Sequence, residues 1–514
     1  MSDSAKDFDL TEIEESEDGK ELYPFQTEAI QKISDKLREL KDNHNILFQL
    51  PTGGGKTVIF SEIARRYILA TGKKVLILTH RIELCKQTSK MLTDFGVHNK
   101  IINSQVKELP DQNDYMCFVA MVETLNNRLQ DDKISLHNIG LVIVDEAHYN
   151  SFRKLFKYFE EVNILGVTAT PLSSSIKLPM NENYQELVIG ESIKSLVDKG
   201  FLAKATTYSY NVRLDSLKIG INGDYTVKSS EQLYGNYHMQ EKLLRAYEEK
   251  AYNTKTLIFN NGIITSYGVY DTFKNAGYEI KHLDHHAGET ERKDILKWFK
   301  ETPNAILTSV GILTTGFDEP TVETIILNRA TRSLSLYHQM IGRGSRILPS
   351  KDKFTVIDLG NNLHRFGLWD SPVDWYHIFI SPHQYYDDLK SDDLIERQFI
   401  YEMPDEIKEK FIKTEDITFD VKEEYKKIMQ RGEHSKKVIA ASIQQHAKMC
   451  MENAEDMWDA LDLAELLQDD IQDRIKHYSY CTIKTTKNYL VWLEEDYRRR
   501  LNTAIRQEFV KKEI

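Results

Sequence analysis

Residues 50–57 read LPTGGGKT, and their types suit a loop that wraps a phosphate. Thr52 opens the turn, and Gly53, Gly54 and Gly55 let backbone N–H groups converge on phosphate oxygens with no Cβ in the way. Lys56 supplies charge for β- and γ-phosphates, and Thr57 a hydroxyl for magnesium. The usual G-x-x-x-x-G-K-[ST] pattern puts Gly where Leu50 stands. That position is a strand end, before the cradle itself, where an apolar side chain can pack inward. Farther on, VIVDEAH (142–148) sets Asp145 and Glu146 at the end of an apolar strand. Open α/β sheets bind ligands at that edge. Asp145 can hold magnesium through water there, and Glu146 can orient and deprotonate an attacking water. Each motif alone has a plainer reading, a glycine turn or a solvated pair of acids. Together and in this order they favour a nucleotide.

These groups need a sheet to carry them. HNILFQL leads into the glycines, and KTVIFSEIARRYILATG follows with apolar residues at helical spacing and a terminal Gly. KVLILT, CFVAM, LVIVDEAH and ILGVTAT are further runs rich in Val, Ile and Leu, the mark of strands buried on both faces of a parallel sheet. TLIFN, EIKHLD, AILTSV, TIILN and FTVIDL repeat the arrangement, alternating with helices such as ETERKDILKWFKE. The pattern predicts an α/β chain with tandem parallel-sheet domains at 21–178 and 211–382, joined by a connection at 179–210. From 383 to 514 the sequence turns polar and helical, with KNYLVWLEEDYRRRLNTAIRQEFVKK as a clear amphipathic stretch. Residues 1–20 are acidic and read as a disordered tail.

Bulk properties exclude little but are consistent. The 514 residues exceed one core, and no run approaches the length of a membrane span. Net charge is −12, yet the first 21 residues hold nine acids and two lysines, so the remainder leaves room for basic patches. The amino terminus has no apolar secretory segment, and four scattered Cys without a C-x-x-C pair suit a reducing interior.

PTGGGKT, DEAH, TAT (168–170), TTGFD (314–318) and QMIGRGSR (339–346) stand in the order of superfamily 2 helicases and translocases. From about 21 to 365 the chain resembles that superfamily. THRIELCKQ, DEAHYNSFRKLFKYF, VTATP, LTTGFDEPTV and VIDLGNNLHRFG are most similar to the bacterial RadD-type DNA helicases, with the XPB-like group next. The resemblance implies two RecA-like domains that hydrolyse ATP with magnesium. It implies that Gln26 reads the adenine edge and that Gly316 and Asp318 lie by the nucleotide, the acid near the ribose. Arg343 and Arg346 would reach from the second domain to the γ-phosphate held by the first, with Gln339 beside them. Such arginines contribute about 10³–10⁵ in rate in other phosphoryl-transfer systems. His148, Thr168 and Thr170 would couple the nucleotide to the domain interface. His80, Arg81 and Thr124, with Arg292 and Thr315 from the second domain, would face nucleic acid.

Several positions depart from the family. Tyr23 stands where Arg is common, and Met121 and Glu123 replace Thr and Gln, bringing a carboxylate near the expected phosphate path. The cysteine-rich zinc module of RadD-type proteins has no counterpart, since Cys450 and Cys481 stand apart without partners. Tyr489, Trp492 and Arg498–Arg500 could stack bases and neutralise phosphates, although helical spacing favours Trp492 and Tyr497 as core. The expected activity is a DNA-stimulated ATPase moving along or unwinding single-stranded, forked or duplex DNA in repair, recombination or phage-related processing. A cytoplasmic, nucleoid-associated location goes with it. RNA remains an alternative partner, because these motifs do not read the 2′-OH. A translocase that remodels protein–DNA complexes within a restriction or defence assembly is another. The filled hydrolytic positions argue against an inactive scaffold. The helical tail is the expected surface for protein partners, and no membrane contact is expected.

Overall fold

The longest apolar runs form the inner strands of two parallel sheets. The computed structural model describes residues 9–14, 21–39, 44–106, 112–131, 133–313, 317–399, 401, 403–482 and 486–512. The first sheet contains β1 (Ile46–Gln49), β2 (Lys74–Thr79), β3 (Asn99–Ile102), β4 (Cys117–Met121), β5 (Ile139–Asp145), β6 (Asn163–Thr168) and β7 (Glu186–Ile189). Their order is β3-β4-β2-β5-β6-β1-β7, with every pairing parallel. The second contains β8 (Lys204–Ser209), β9 (Thr256–Asn260), β10 (Ile280–Leu283), β11 (Ile306–Val310), β12 (Thr324–Asn328) and β13 (Lys353–Asp358). Its order is β10-β11-β9-β12-β13-β8, again all parallel. Alternate residues enter opposite layers: Ile46, Phe48, Val75 and Ile77 pack on one side, Leu47, Leu76 and Leu78 on the other.

The stretch 179–210 is more than a connection, because it supplies β7 to one sheet and β8 to the other. Both are edge strands with partial burial, as is β3. The acidic head also departs from expectation over residues 9–14. Leu10 is fully buried, its N–H bonded to Ser34 Oγ at 3.2 Å and its carbonyl accepting from Arg66 at 3.1 Å. Asp9 pairs with Arg38. One buried leucine, its backbone held by two side chains, fastens the segment despite its charge; residues 1–8 and 15–20 lie outside the described residues.

Residues to Asp392 form one compact unit, so 383–392 belong with the sheets. The second unit, Asp393–Ile514, is helical. Its main helices are Val421–Gln430, Lys436–Asn453, Met457–Leu466, Gln468–Cys481 and Lys487–Lys512. The Asp420 and Asp456 side chains cap two of them by accepting backbone N–H groups. Ile443, Leu463, Ile471, Tyr497 and Leu501 share the core. A polar network lies inside it. His446 Nε2 is 2.9 Å from Asp470 Oδ2, its Nδ1 is 2.9 Å from Tyr497 Oη, and that hydroxyl is 2.7 Å from Ser442 Oγ. Arg474 forks onto both Asp470 oxygens at 2.9 and 2.8 Å. Among the described residues no helix is long and apolar enough to cross a membrane.

Candidate nucleotide site between the two sheets

Adjacent strands β5, β6 and β1 end level with one another, Gln49 beside Thr168 and Asp145 beside Val167. The glycine loop, the DEAH turn and the TAT turn leave from those ends and therefore meet. Gly53 and Gly55 have φ of 94° and 84°, the left-handed region. A Cβ at Gly55 would lie 2.4 Å from Gln26 Nε2, and one at Gly53 2.7 Å from Leu202. The helix Lys56–Thr71 begins at once and points its unpaired N–H groups at the loop. Leu50 is fully buried, so its departure from the pattern costs the cradle nothing. Lys56 Nζ donates to the Leu50 carbonyl at 3.3 Å. Burial lowers the Lys56 pKa, against the pull of Glu146 and Asp145.

Glu146 has φ of 52°, whereas every other described non-glycine residue with positive φ is Asn, the type that tolerates it. Such strain clusters at functional positions. Burial, then the Glu146 charge, pushes the Asp145 carboxyl up, and Lys56 pulls it back. Burial also works to raise Glu146, but Lys56, His148, His80 and Arg343 outweigh it and hold the group below the usual carboxylate range. Its Oε2 is buried without a hydrogen bond, 3.4 Å from His148 Nδ1. An ionised carboxylate with an open oxygen meets the requirement for activating water. Asp145 and Thr57 offer one carboxylate and one hydroxyl, hard oxygens that fit magnesium.

His148 links this corner to the second domain. Its Nδ1 is 3.0 Å from Thr168 Oγ1, which donates to the Thr170 carbonyl at 3.0 Å and accepts the Thr170 N–H at 3.2 Å. Its Nε2 is 3.4 Å from Gln339 Nε2 on the helix Leu334–Ile341. One tautomer serves both: Nδ1–H donates to Thr168, and Nε2 accepts from the Gln339 amide. Burial lowers the His148 pKa, which keeps the ring neutral as this network needs.

The arginines face the phosphate loop. Arg346 Nη1 donates to the Gly53 carbonyl at 2.9 Å, and its Nε to Asp318 Oδ1 at 2.8 Å. Arg343 donates to the Phe317 carbonyl; burial, then Arg346, pulls its guanidinium down to about 10. Gly342 packs directly on Thr52, where a Cβ would lie 2.7 Å from the threonine Cβ. Lys351 holds this turn in place. Its ammonium donates to the carbonyls of Arg346 at 2.7 Å, Gly344 at 2.8 Å and Pro320 at 3.0 Å. Nothing about ILPSKDKF distinguishes Lys351 from a solvated lysine.

Gln26 lies against the loop, its Oε1 accepting the Tyr23 N–H at 3.0 Å and its Nε2 donating to the Gly54 carbonyl at 3.4 Å. Both ends of the amide are thus occupied by backbone groups. Tyr23 is 52% exposed beside it, its ring 4.6 Å from Phe201.

The residues expected to face nucleic acid land differently. The His80 ring sits 4.2 Å from Tyr149 with both nitrogens buried and unpartnered. Burial, then Arg81, lowers its pKa to about 4, so it offers phosphate no charge at neutral pH. Arg81 Nη1 donates to the Ile312 carbonyl at 3.2 Å, and Arg292 pairs with Glu83 at 3.0 Å. Both guanidiniums are engaged at the seam between the sheets. Thr124 is half-buried just past the end of β4. The Glu123 carboxylate is neutralised by Lys154. Thr315 and Gly316 lie outside the described residues.

Comparison with known proteins agrees with this geometry. A family model described as the res subunit of type III restriction enzymes matches residues 19–173, and one for the helicase conserved C-terminal domain matches 237–348. The chain is 30% identical over 339 residues to a 51.5 kDa protein of a Lactococcus phage, covering 65% of this chain and 69% of that one. It is 29% identical over 357 residues to IRC3 of Saccharomyces cerevisiae, assigned as an ATP-dependent helicase, covering 66% of this chain and 51% of IRC3. It thus spans about half of IRC3. It is 24% identical over 380 residues to the EcoAI type I restriction endonuclease subunit of Escherichia coli, covering 66% and 46%. A solved fragment from Vibrio vulnificus, assigned as the HsdR subunit of a type I restriction enzyme, shares the fold with a TM-score of 0.55 at 20% identity, covering 70% of this chain and 68% of the fragment. With both helicase modules matched in order and the fold shared, the chain belongs to the superfamily 2 helicases.

Proposed function

We propose that this chain is an ATP- and magnesium-dependent motor that moves along and unwinds DNA. The observation that carries the reading is the split site: Arg346 and Gln339 of the second domain touch Gly53 and His148 of the first. A γ-phosphate between the domains gives ATP and ADP different affinities for the closed arrangement, and differential affinity moves a conformational equilibrium. Lys56 and the N–H groups of Thr52 to Gly55 hold phosphates, and Gln26, Gly316 and Asp318 serve the base and ribose. Thr57 and Asp145 hold magnesium, which when bound screens phosphate charge. Glu146 takes the proton of the attacking water, Arg343 and Arg346 stabilise the charge that develops, and His148, Thr168 and Thr170 carry the change towards Gln339.

DNA is favoured over RNA by the wording of THRIELCKQ and VIDLGNNLHRFG, most similar to RadD-type DNA helicases, and by a relative named as a restriction endonuclease subunit. A relative named as a restriction enzyme subunit is also in keeping with a second reading, a part of a restriction or defence assembly that moves on duplex and displaces bound proteins without separating strands. ATPase rates with matched single-stranded DNA, forked DNA, duplex and RNA test the proposal. DNA should stimulate most. Stimulation by RNA alone would discard the DNA reading, and roadblock displacement without unwinding would select the second.

A further inference from the structure

The helix Lys487–Lys512 buries Leu493, Tyr497, Leu501 and Ile505, one residue in every four. Its other side exposes Trp492, Arg499, Thr503 and Arg506. At 3.6 residues per turn these form one stripe, about 21 Å from Trp492 to Arg506. Trp492 is 51% exposed, not core as its spacing suggested, and its ring stacks on Tyr489 with centroids 5.7 Å apart and planes at 27°. A groove of about 380 Å³ runs alongside, lined by Arg499, Arg500, Thr503 and Gln507 and, from the helix Lys436–Asn453, by Ile443 and Gln444.

Charge is segregated within this unit. Residues 452–473 hold nine acids and no Lys, Arg or His, whereas 498–512 hold six bases against Glu508. Asp496 answers Arg499 and Arg500 within the helix. Arg499 is nonetheless 75% exposed, and ion pairs so open to water are weak and exchange readily for a phosphate. An acidic protein surface would satisfy the arginines but would leave the exposed Trp492 ring, backed by the half-buried Tyr489, unexplained. Rings that stack bases beside cations that follow a backbone are the chemistry of single-strand binding.

We infer that this stripe binds a single nucleic-acid strand, with Tyr489 and Trp492 stacking bases and Arg499, Arg500 and Arg506 taking phosphates. The inference rests on the nucleic-acid motor reading and adds a second grip, built in the helical unit instead of the sheets.

Anisotropy of labelled oligo-dT and oligo-rU with the full chain, titrated over NaCl, tests it; the two oligomers separate a deoxyribose from a ribose strand. Trp492→Leu weakens binding about tenfold, within the usual worth of a base stack, and loses the quenching of tryptophan fluorescence by oligonucleotide. Arg499→Ala with Arg506→Ala lowers the salt slope by about 1.4, since each single-strand phosphate contact contributes about 0.7. Arg431→Glu, exposed elsewhere in the unit and equal in charge change, leaves affinity and slope as they are. Wild-type binding with affinity and slope unchanged in the stripe variants overturns the inference and leaves the motor reading standing. No binding by the wild type overturns both.

Discussion

In the helical unit His446, Asp470, Arg474, Ser442 and Tyr497 are buried together, and each finds hydrogen-bond partners among the others. Beside the glycine loop, by contrast, Glu146 Oε2, both His80 nitrogens and Thr170 Oγ1 are buried with none. Each unpaired buried group costs about 1–3 kcal/mol. Both arrangements are enclosed and polar, yet they differ: the satisfied network ties helices together, whereas under the proposed function the unsatisfied corner would keep groups open for a reactant. Satisfaction, more than burial, separates cohesion from chemistry.

Substitutions at the seam should therefore remove turnover, and substitutions in the network should remove stability. Arg346→Ala gives the largest effect, a fall in kcat of about 10³ or more with nucleotide affinity changed far less. Single-turnover kinetics with equilibrium nucleotide binding read the two separately; an unchanged rate would detach the second domain from the chemistry. Glu146→Gln slows turnover by about 10²–10⁴ while ATP still binds. Its thermal unfolding temperature should fall only slightly, because the attraction of Lys56 and His148 for the carboxylate is lost but no hydrogen bond to Oε2 is broken. A clear loss of stability would mean that the carboxylate was cohesive and the contrast with the network false. Asp470→Asn should behave in the opposite way. It leaves the Arg474 guanidinium buried without its counter-charge, at a cost of about 3–5 kcal/mol in denaturant unfolding. A loss below about 1 kcal/mol would show that the network is not a lock.

What could be read from the sequence follows the same division. The inner strands announced themselves because residues buried on both faces must be apolar throughout, as in LVIVD and TIILN. β3, β7 and β8 stayed hidden because each lies at a sheet edge, where one side meets solvent and the apolar run breaks up. The strand–glycine turn–helix form of residues 50–57 was legible because three successive glycines between an apolar run and a helical pattern leave little else for the backbone to do. The seam contacts of Arg81 and Arg292 were not, since an arginine reads the same in sequence whether it meets solvent or the facing domain. Nothing in THRIEL marks His80 as a buried, neutral ring. Trp492 was misplaced beside Tyr497 in the core although five residues turn a helix by about 140°, too far for one face. Lys351 was invisible because its role lies in three backbone carbonyls, which no side-chain pattern records.

Lys351 also gives the mildest way to disturb the seam without touching a reacting group. Its three donors fix the Arg346 turn to the Pro320 end of the Asp318 loop, so Lys351→Met lets the arginines drift. Small misplacements of catalytic groups cost up to about 10²-fold, and a fall of about tenfold in kcat with KM for ATP little changed is expected. Burial draws this ammonium down to about 8, with Glu323 opposing, Arg346 reinforcing and Glu319 opposing. The protonated form carries the three donors, so turnover should be intact below about pH 8 and decline as pH rises above it. Lys351→Arg keeps its charge over that range and should flatten the alkaline limb. If wild type and the arginine variant decline together, the limb belongs to another group. If the methionine variant turns over normally, Arg346 keeps its place through Gly53 and Asp318 alone, and the seam is stiffer than its hydrogen bonds imply.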